Sequence, residues 1–241
     1  MTLSLSLDTK WTASDVNFTE IRRGSKPSVK FNSLWPYGNK KLFQWDGEGS
    51  KKDATGARQR KFWEMSADGN GGGQWSTLDD SRNGDRYSNM VRKAQAASAV
   101  CGNVAYTIGG FSSPMTDDRV SSSQDHNVPD RNMLAYNMDR NTWTETDLGS
   151  MSPSHGVFIR GMASCVQGIG DKSLVFTSGG AISSRMTTKD GVQPIDQTNI
   201  TFYDIESEKW LWQTATGDPP SGGWSQHCMV GVKSTAGSYE L

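Results

Sequence analysis

The sequence has little of what marks membrane, nucleic-acid-binding or metal-dependent proteins. Only 34% of its 241 residues are hydrophobic, and no apolar run approaches the ~20 residues that a bilayer-spanning helix needs. Its formal net charge is -1, so it lacks the excess of Lys and Arg on which binding to phosphate backbones and anionic membranes depends. These absences argue against nucleic-acid binding and against a membrane-spanning segment.

Catalytic and metal-binding patterns are equally scarce. His126, His155 and His227 have no histidine or cysteine at i+2 or i+4, a spacing at which metal ligands share one face. The glycine-rich segment 67–73 lacks the Lys-Ser/Thr pair of a phosphate-binding loop. Residues 1–7 have neither the basic leader nor the apolar stretch of a signal peptide. We therefore expect no enzyme activity, no metal or cofactor, and no signal peptide within this chain.

Glycine and tryptophan are plentiful, with 26 and 9 residues, and they recur in phase. Val104-Ala-Tyr-Thr-Ile-Gly-Gly110 precedes Tyr136-Asn-Met-Asp-Arg-Asn-Thr-Trp143, and Val175-Phe-Thr-Ser-Gly-Gly180 precedes Tyr203-Asp-Ile-Glu-Ser-Glu-Lys-Trp210. The two glycine pairs lie 70 residues apart and the two tryptophans 67 apart. Repetition at a nearly fixed period predicts a repeat architecture.

Each repeat predicts one small antiparallel sheet of four strands. In the last complete repeat the strands are 161–167, 173–178, 199–203 and 208–213, separated by a glycine pair and polar turns. A sheet of this size cannot bury its own apolar faces, so we expect its Tyr and Trp to pack against the neighbouring repeat.

A double glycine, a long loop and then Tyr-x6-Trp, repeated along the chain, resembles the kelch repeat, which forms the blades of a β-propeller. Three segments are further similar to the kelch-domain cell-surface proteins of filamentous fungi: Leu42-Phe-Gln-Trp-Asp-Gly47, Phe62-Trp-Glu-Met-Ser-Ala-Asp-Gly-Asn-Gly-Gly-Gly-Gln-Trp75, and residues 199–217. The resemblance covers nearly the whole chain. The chain also resembles the central domain of galactose oxidase, a copper-radical enzyme. Its isolated histidines, however, do not supply the copper ligands that this chemistry needs.

The predicted fold is all-β, a partial β-propeller of four-stranded antiparallel blades forming a single kelch region over residues 1–241. We expect a half blade at 1–15, which turns at Asp8-Thr9-Lys10 into Trp11-Thr-Ala. Complete blades follow at 30–79, 94–147 and 161–214, and the start of another at 224–241, with 224–232 as its innermost strand. Propellers close with about four to eight blades, so the chain is either fragment-like and open, or closed as four blades by pairing its two halves.

The residues expected to carry the repeat are the turn glycines and the packing aromatics, with Asp46-Gly47 standing where the other blades have Gly-Gly: Gly47, Trp63, Trp75, Gly109, Gly110, Tyr136, Trp143, Gly179, Gly180, Tyr203 and Trp210.

Binding is expected on the long polar loops that follow each glycine pair, because long loops on a rigid scaffold commonly carry function. The alternative is a solvated surface without a partner. The candidate interaction residues are Asp117, Asp118, Arg119, Asp130, Arg131, Arg185 and Lys189.

The cysteines and the glycosylation motifs bear on the compartment. Cys101, Cys165 and Cys228 are predicted on innermost strands as packed thiols, although Cys165 and Cys228 occupy matching positions and form a candidate disulfide. Asn17 and Asn199 each begin an Asn-x-Thr motif that accepts a glycan in secreted proteins. The resemblance implies an extracellular or cell-surface domain, with a signal peptide before it and a membrane anchor after it in the family.

These observations predict a non-catalytic interaction scaffold, part of the ectodomain of a fungal cell-surface protein, that binds a protein or a cell-wall component through its loops. Two alternatives stay open. One is a cytoplasmic kelch adaptor that binds protein partners, and the other is a fragment of a carbohydrate-active or copper-dependent propeller enzyme.

Overall fold

The computed structural model describes residues 2–6, 10–22, 24–50, 61–78, 89–120, 126–152, 157–169, 172–182, 186–187, 193–218 and 222–241. Every element within these ranges is a β-strand, so the chain is all-β over its described part, as predicted. No helix long and apolar enough to cross a bilayer occurs in the same ranges.

The chain begins with a two-stranded antiparallel sheet, β1 (Thr2–Leu5) and β2 (Phe18–Ile21). The predicted partner of the first strand was wrong. Residues 13–15 form a turn and Trp11 lies outside any strand, whereas β2 lies beyond the predicted half blade. The sheet therefore extends past the predicted half blade at 1–15.

Three four-stranded sheets follow, each built from strands in an up-and-down order. The first sheet contains β3 (Ser33–Tyr37), β4 (Lys41–Trp45), β5 (Trp63–Ala67) and β6 (Gly73–Thr77). The second contains β7 (Ala97–Cys101), β8 (Val104–Ile108), β11 (Asn132–Asn137) and β12 (Thr142–Asp147). The third contains β13 (Met162–Val166), β14 (Leu174–Ser178), β18 (Asn199–Asp204) and β19 (Lys209–Thr214). These sheets lie within the predicted boundaries 30–79, 94–147 and 161–214.

The loops after the glycine pairs contain short strands that the sequence did not indicate. β9 (Phe111–Ser112), β10 (His126–Pro129) and β16 (Met186–Thr187) form one small sheet, and β15 (Ala181–Ile182) pairs with β17 (Gln193–Pro194). Because β16 belongs to the third repeat and β10 to the second, this small sheet ties the loops of two repeats together.

The chain ends with a hairpin of β20 (Val232–Lys233) and β21 (Tyr239–Glu240). The predicted innermost strand at 224–232 was wrong, because only its last residue lies in a strand. Gly231 nevertheless donates its N–H to the Ser164 hydroxyl at 2.8 Å, so the segment lies beside the third sheet.

The packing aromatics occupy equivalent register positions in the three sheets. Tyr136 faces Trp143 across β11 and β12, Tyr203 faces Trp210 across β18 and β19, and Met65 faces Trp75 in the first sheet. Trp63 lies two residues before Met65. Trp75, Trp143 and Trp210, which share this register position, are all buried, with 7%, 2% and 7% of their surface exposed.

The glycine pairs are required because the backbone turns through the left-handed region against neighbouring backbone. A Cβ on Gly109 would lie 2.0 Å from the carbonyl oxygen of Phe158, and one on Gly110 would lie 2.8 Å from that of Ala94. Asp46 takes the place of the first glycine in the first sheet with φ 62°, close to the 62° of Gly109. An aspartate is among the few residues with a Cβ that adopt this conformation readily.

The cysteine prediction was wrong in its pairing. Cys101 and Cys165 form a disulfide with a Cα–Cα distance of 5.3 Å, and Cys228 is a free, exposed thiol outside any strand. The bond joins β7 to β13, the innermost strands of the second and third sheets, which lie side by side.

Candidate functional site

Four residues with unusual backbone geometry connect the successive repeats. Phe31, Gln95, Arg160 and Gln226 have φ values of 56°, 57°, 58° and 57° and lie 64 to 66 residues apart. Left-handed backbone is uncommon for residues other than glycine, and a repeat of it at one period indicates a shared structural role. We call these four residues the left-handed ladder.

The ladder residues are linked by backbone hydrogen bonds from one repeat to the next. The N–H of Gln95 donates to the carbonyl of Phe31 at 3.2 Å, that of Arg160 to Gln95 at 2.9 Å, and that of Gln226 to Arg160 at 3.0 Å. Each sheet is therefore attached to the following one at the start of its innermost strand, through the same backbone group.

A second set of bonds repeats beside the ladder. Gly47, Gly110 and Gly180 donate their N–H groups to carbonyls of the next repeat, at 2.9 Å, 2.7 Å and 2.6 Å. The acceptors are Lys93, Phe158 and Trp224, each two residues before a ladder residue. The loops leave the sheets at this same end, because β8 ends where β7 begins.

The ladder brings one side chain from each of four repeats to the rim of a single pocket of about 490 Å³. Neighbouring residues complete its wall, so the lining consists of Phe31, Asn32, Gln95, Ala96, Ser98, Arg160, Gly161, Met162, Gln226 and His227. This volume lies within the ~300–1,000 Å³ of ordinary small-molecule sites. We call this space the ladder pocket.

Polar groups of the ladder pocket are partly organised and partly available. Arg160 Nε donates to Gln95 Oε1 at 2.6 Å, which fixes the guanidinium relative to the second sheet. His227 Nδ1 is buried and has no hydrogen-bond partner among the described residues. The pocket thus combines an anchored cation, amide groups, an imidazole and the apolar surfaces of Phe31 and Met162.

The candidate interaction residues of the second repeat lie in a charged cluster beside the first sheet. Asp117 is fully buried, accepts hydrogen bonds from Arg119 Nη2 at 2.6 Å and Nε at 2.9 Å, and accepts the N–H of Arg92 at 2.9 Å. Burial alone would raise the pKa of this carboxyl, but these hydrogen bonds lower the pKa of Asp117 to about 2. Its role in the fold is to hold the loop against residues 89–92.

A buried lysine lies in the same cluster. Lys93 is fully buried, with its Nζ 3.4 Å from Asp130 Oδ1 and 3.3 Å from the carbonyl of Asn132. Its backbone N–H donates to Asp46 Oδ1 at 3.3 Å, whereas Asp46 Oδ2 accepts no hydrogen bond from the described residues. Burial raises the pKa of Asp46 to about 7, despite the opposing charges of Lys93 and Arg92.

The remaining candidate residues are more dispersed. Asp118, Arg119 and Arg131 are exposed and Asp130 is half-buried, whereas Arg185 and Lys189 lie outside the described residues. None of the five described side chains among the candidates (Asp117, Asp118, Arg119, Asp130 and Arg131) lines the ladder pocket. Sequence reasoning missed the ladder because Phe, Gln, Arg and Gln share no chemistry, and the signal left was their spacing of 64 to 66 residues along the chain.

The two glycosylation motifs differ in their surroundings. Asn17 is exposed between β1 and β2. Asn199 begins β18, and its side-chain oxygen accepts the Thr214 hydroxyl at 3.2 Å, while Thr201 of the same motif is buried and donates to the carbonyl of Ser152.

Within the described residues, no group of three or more His, Cys, Asp and Glu side chains is arranged to hold a metal ion. His227 lines the ladder pocket, whereas His155 lies outside the described residues.

Comparison with known proteins gives a structural likeness but no sequence match. No protein-family model matches the sequence, and no curated protein matches it. The solved structure of YjhT aligns over 85% of this chain with a TM-score of 0.51 at 12% sequence identity. This chain spans 56% of the length of YjhT. At this identity the likeness concerns the arrangement of the strands alone.

Proposed function

We propose that this chain is part of a kelch-type β-propeller and acts as a non-catalytic binding scaffold. The observation that carries the proposal is the left-handed ladder. The same backbone bond attaches each repeat to the next at three successive positions, as expected for blades arranged about a common axis. The three up-and-down sheets of four strands and the glycine pairs of the kelch pattern agree with this interpretation.

The partner of this scaffold binds at the loop end of the sheets, with the ladder pocket as its centre. Four repeats contribute to this pocket, so its shape depends on the assembled array and on no single loop. Binding sites of repeat proteins commonly form on such composite surfaces. The partner in this proposal is a protein or a cell-wall component.

The proposed location is the extracellular space, at the surface of a fungal cell. The Cys101–Cys165 disulfide supports it, since structural disulfides persist in oxidising compartments and are rare in the cytosol. The exposed Asn-x-Thr motif at Asn17 is compatible with the same location. A cytoplasmic adaptor would not be expected to retain this bond.

The experiment tests binding without turnover. The purified chain is screened against fungal cell-wall polysaccharides and secreted fungal proteins, and any partner is titrated against a Gln95→Asn/Gln226→Asn variant. Asn tolerates left-handed backbone, so the variant should fold. Its side-chain amides are one methylene shorter than those of glutamine and should no longer contact the partner. We expect about tenfold weaker binding, as for two lost hydrogen bonds of about 0.7 kcal/mol each.

Gln213→Asn on β19 is the matched control, because this glutamine is exposed on an outer strand. It should bind as the wild type does. A partner recovered chemically altered after incubation would show catalysis and overturn the scaffold proposal. Equal affinity of the double variant and the wild type would place the binding site elsewhere.

A further inference from the structure

The ladder pocket has an uneven charge. Among the described residues that line it, Arg160 is the one with a permanent positive charge, and no Asp or Glu lines the wall. The whole chain carries 26 acidic and 25 basic residues, so a wall without carboxylates is a local feature. A cation without an acidic neighbour in a concave site favours an anionic ligand.

Arg160 is held in a position suited to binding a carboxylate. Its Nε is engaged by Gln95 Oε1 at 2.6 Å, which orients the guanidinium plane. Its two Nη groups make no hydrogen bond or ion pair with the described residues. Two parallel N–H donors on a fixed plane match the two oxygens of a carboxylate.

The other lining groups indicate what surrounds that carboxylate. Gln95, Gln226 and Asn32 offer amide donors and acceptors, the groups that bind hydroxyls. Phe31 keeps 42% of its surface exposed, so part of its ring is available for contact with an apolar ligand face. A ligand with a carboxylate, several hydroxyls and one apolar C–H face satisfies all of these groups together.

We propose that the ladder pocket binds a sugar acid, with its carboxylate on Arg160, its hydroxyls on the amides of Gln95, Gln226 and Asn32, and its C–H face against Phe31. This inference rests on the proposed function, because it names the class of ligand that the scaffold binds. It also fixes the orientation of the ligand, which the scaffold proposal leaves open, because the carboxylate faces the third sheet.

The test compares two ligands that differ at one group, D-galacturonate and D-galactose, titrated into the full chain. Binding is followed by saturation-transfer NMR and by the Nε–Hε signal of Arg160 in a 15N-labelled sample. We expect galacturonate to bind at least about tenfold more tightly than galactose, because a charge-assisted bidentate pair is worth more than a neutral hydrogen bond. The Arg160 signal should shift with galacturonate and remain unchanged with galactose.

Arg160→Gln is the informative variant, since glutamine occupies the same left-handed position at 95 and 226 and is compatible with the fold. It should reduce galacturonate affinity to that of galactose. Lys209→Gln is the charge-matched control, because Lys209 is exposed on the outer strand β19 and its loss should leave binding unchanged.

Each outcome has one meaning. Equal affinity for the two sugars, or wild-type galacturonate binding by Arg160→Gln, overturns the sugar-acid proposal. Either result can be obtained while the Gln95→Asn/Gln226→Asn variant binds a screened partner more weakly than the wild type does. In that case the scaffold proposal stands and only the ligand class is wrong. If the double variant also binds every partner as the wild type does, the sugar-acid proposal fails and the binding site of the scaffold lies outside the ladder pocket.

Discussion

The contacts between the first and second sheets and those between the second and third sheets share one backbone design but differ in their side chains. We call them the first and second junctions. Both use the ladder bond and the glycine N–H bond to the next repeat. The first junction is filled with large aromatic rings, whereas the second is filled with smaller side chains and closed by a disulfide.

In the first junction, rings from both sheets form one cluster. Trp143 of the second sheet lies 4.3 Å from Trp45 and 6.0 Å from Trp35 of the first sheet, centroid to centroid. Trp35 also donates its Nε1–H to the Ser98 hydroxyl at 2.9 Å, which fixes its orientation across the junction. Burial of several aromatic rings makes a large hydrophobic contribution without a covalent link.

In the second junction, the equivalent tryptophan has fewer aromatic neighbours. Trp210 lies 5.3 Å from Tyr203 of its own sheet, and Tyr203 lies 6.3 Å from Tyr106 of the second sheet. Around them are small and aliphatic side chains, and the innermost strands are joined by Cys101–Cys165. The comparison shows that the same backbone connection is compatible with different sets of packing side chains, provided that each set buries the apolar face of the adjoining sheet.

The largest expected effect is the loss of an aromatic ring. Trp143→Ala should lower the free energy of unfolding by about 3–5 kcal/mol, as removal of a large buried aromatic does. Trp210→Ala should cost about as much or somewhat less, because its site has fewer ring contacts and keeps the disulfide. Urea denaturation of both variants measures the two losses. A larger loss for Trp210→Ala would reverse the comparison of the two junctions.

Removal of the disulfide should affect the second junction next most strongly. The Cys101→Ala/Cys165→Ala variant should lose about 2–4 kcal/mol, since the bond closes a loop with a sequence separation of 64 residues. Reduction of the wild type should produce a similar loss in urea denaturation. Cys228→Ala is the control and should unfold as the wild type does. Equal stability of the double variant and the wild type would show that the bond contributes nothing to this junction.

The first junction should show a pH dependence that arises from Asp46. The pKa of Asp46 is raised from 3.8 to about 7, so the folded state binds the proton more tightly than the unfolded state does. Its contribution to stability is full below pH 3.8 and decreases as the pH rises to about 7.

Asp46→Asn should remove this decrease while tolerating the left-handed backbone at this position. We expect the variant to be more stable than the wild type at pH 8 by about 1–3 kcal/mol, with a smaller difference at pH 5. Urea denaturation at both pH values measures it. An equal difference at the two pH values would show that Asp46 is not the titrating group.

Several features could be predicted from the sequence because their causes are local. Short apolar runs ended by Gly-Gly or Asp-Gly predicted the three four-stranded sheets, and Tyr-x6-Trp predicted the outer two strands of the second and third sheets. Gly47 could be recognised as part of a turn with Asp46, since aspartate tolerates the same backbone as glycine. Each of these signals lies within one repeat.

Other features depended on how the repeats lie against each other. The partner of β1 was missed because Asp8-Thr9-Lys10 indicated an early turn, whereas β2 follows only after a 12-residue connection. The pairing of Cys101 with Cys165 was missed because it depends on which innermost strands are adjacent. The ladder pocket was missed for the same reason, since its members are separated by a whole repeat.

The sequence by itself determined the strands of the three four-stranded sheets, their grouping into those sheets and the positions of their tight turns, because alternation, glycine and aromatic spacing act over a few residues. Only the tertiary structure decided the disulfide, the burial of Asp117 and Lys93, and the meeting of Phe31, Gln95, Arg160 and Gln226 at one pocket. The reason is geometric: these contacts form between neighbouring repeats, and their distances are set by the packing of whole sheets against each other.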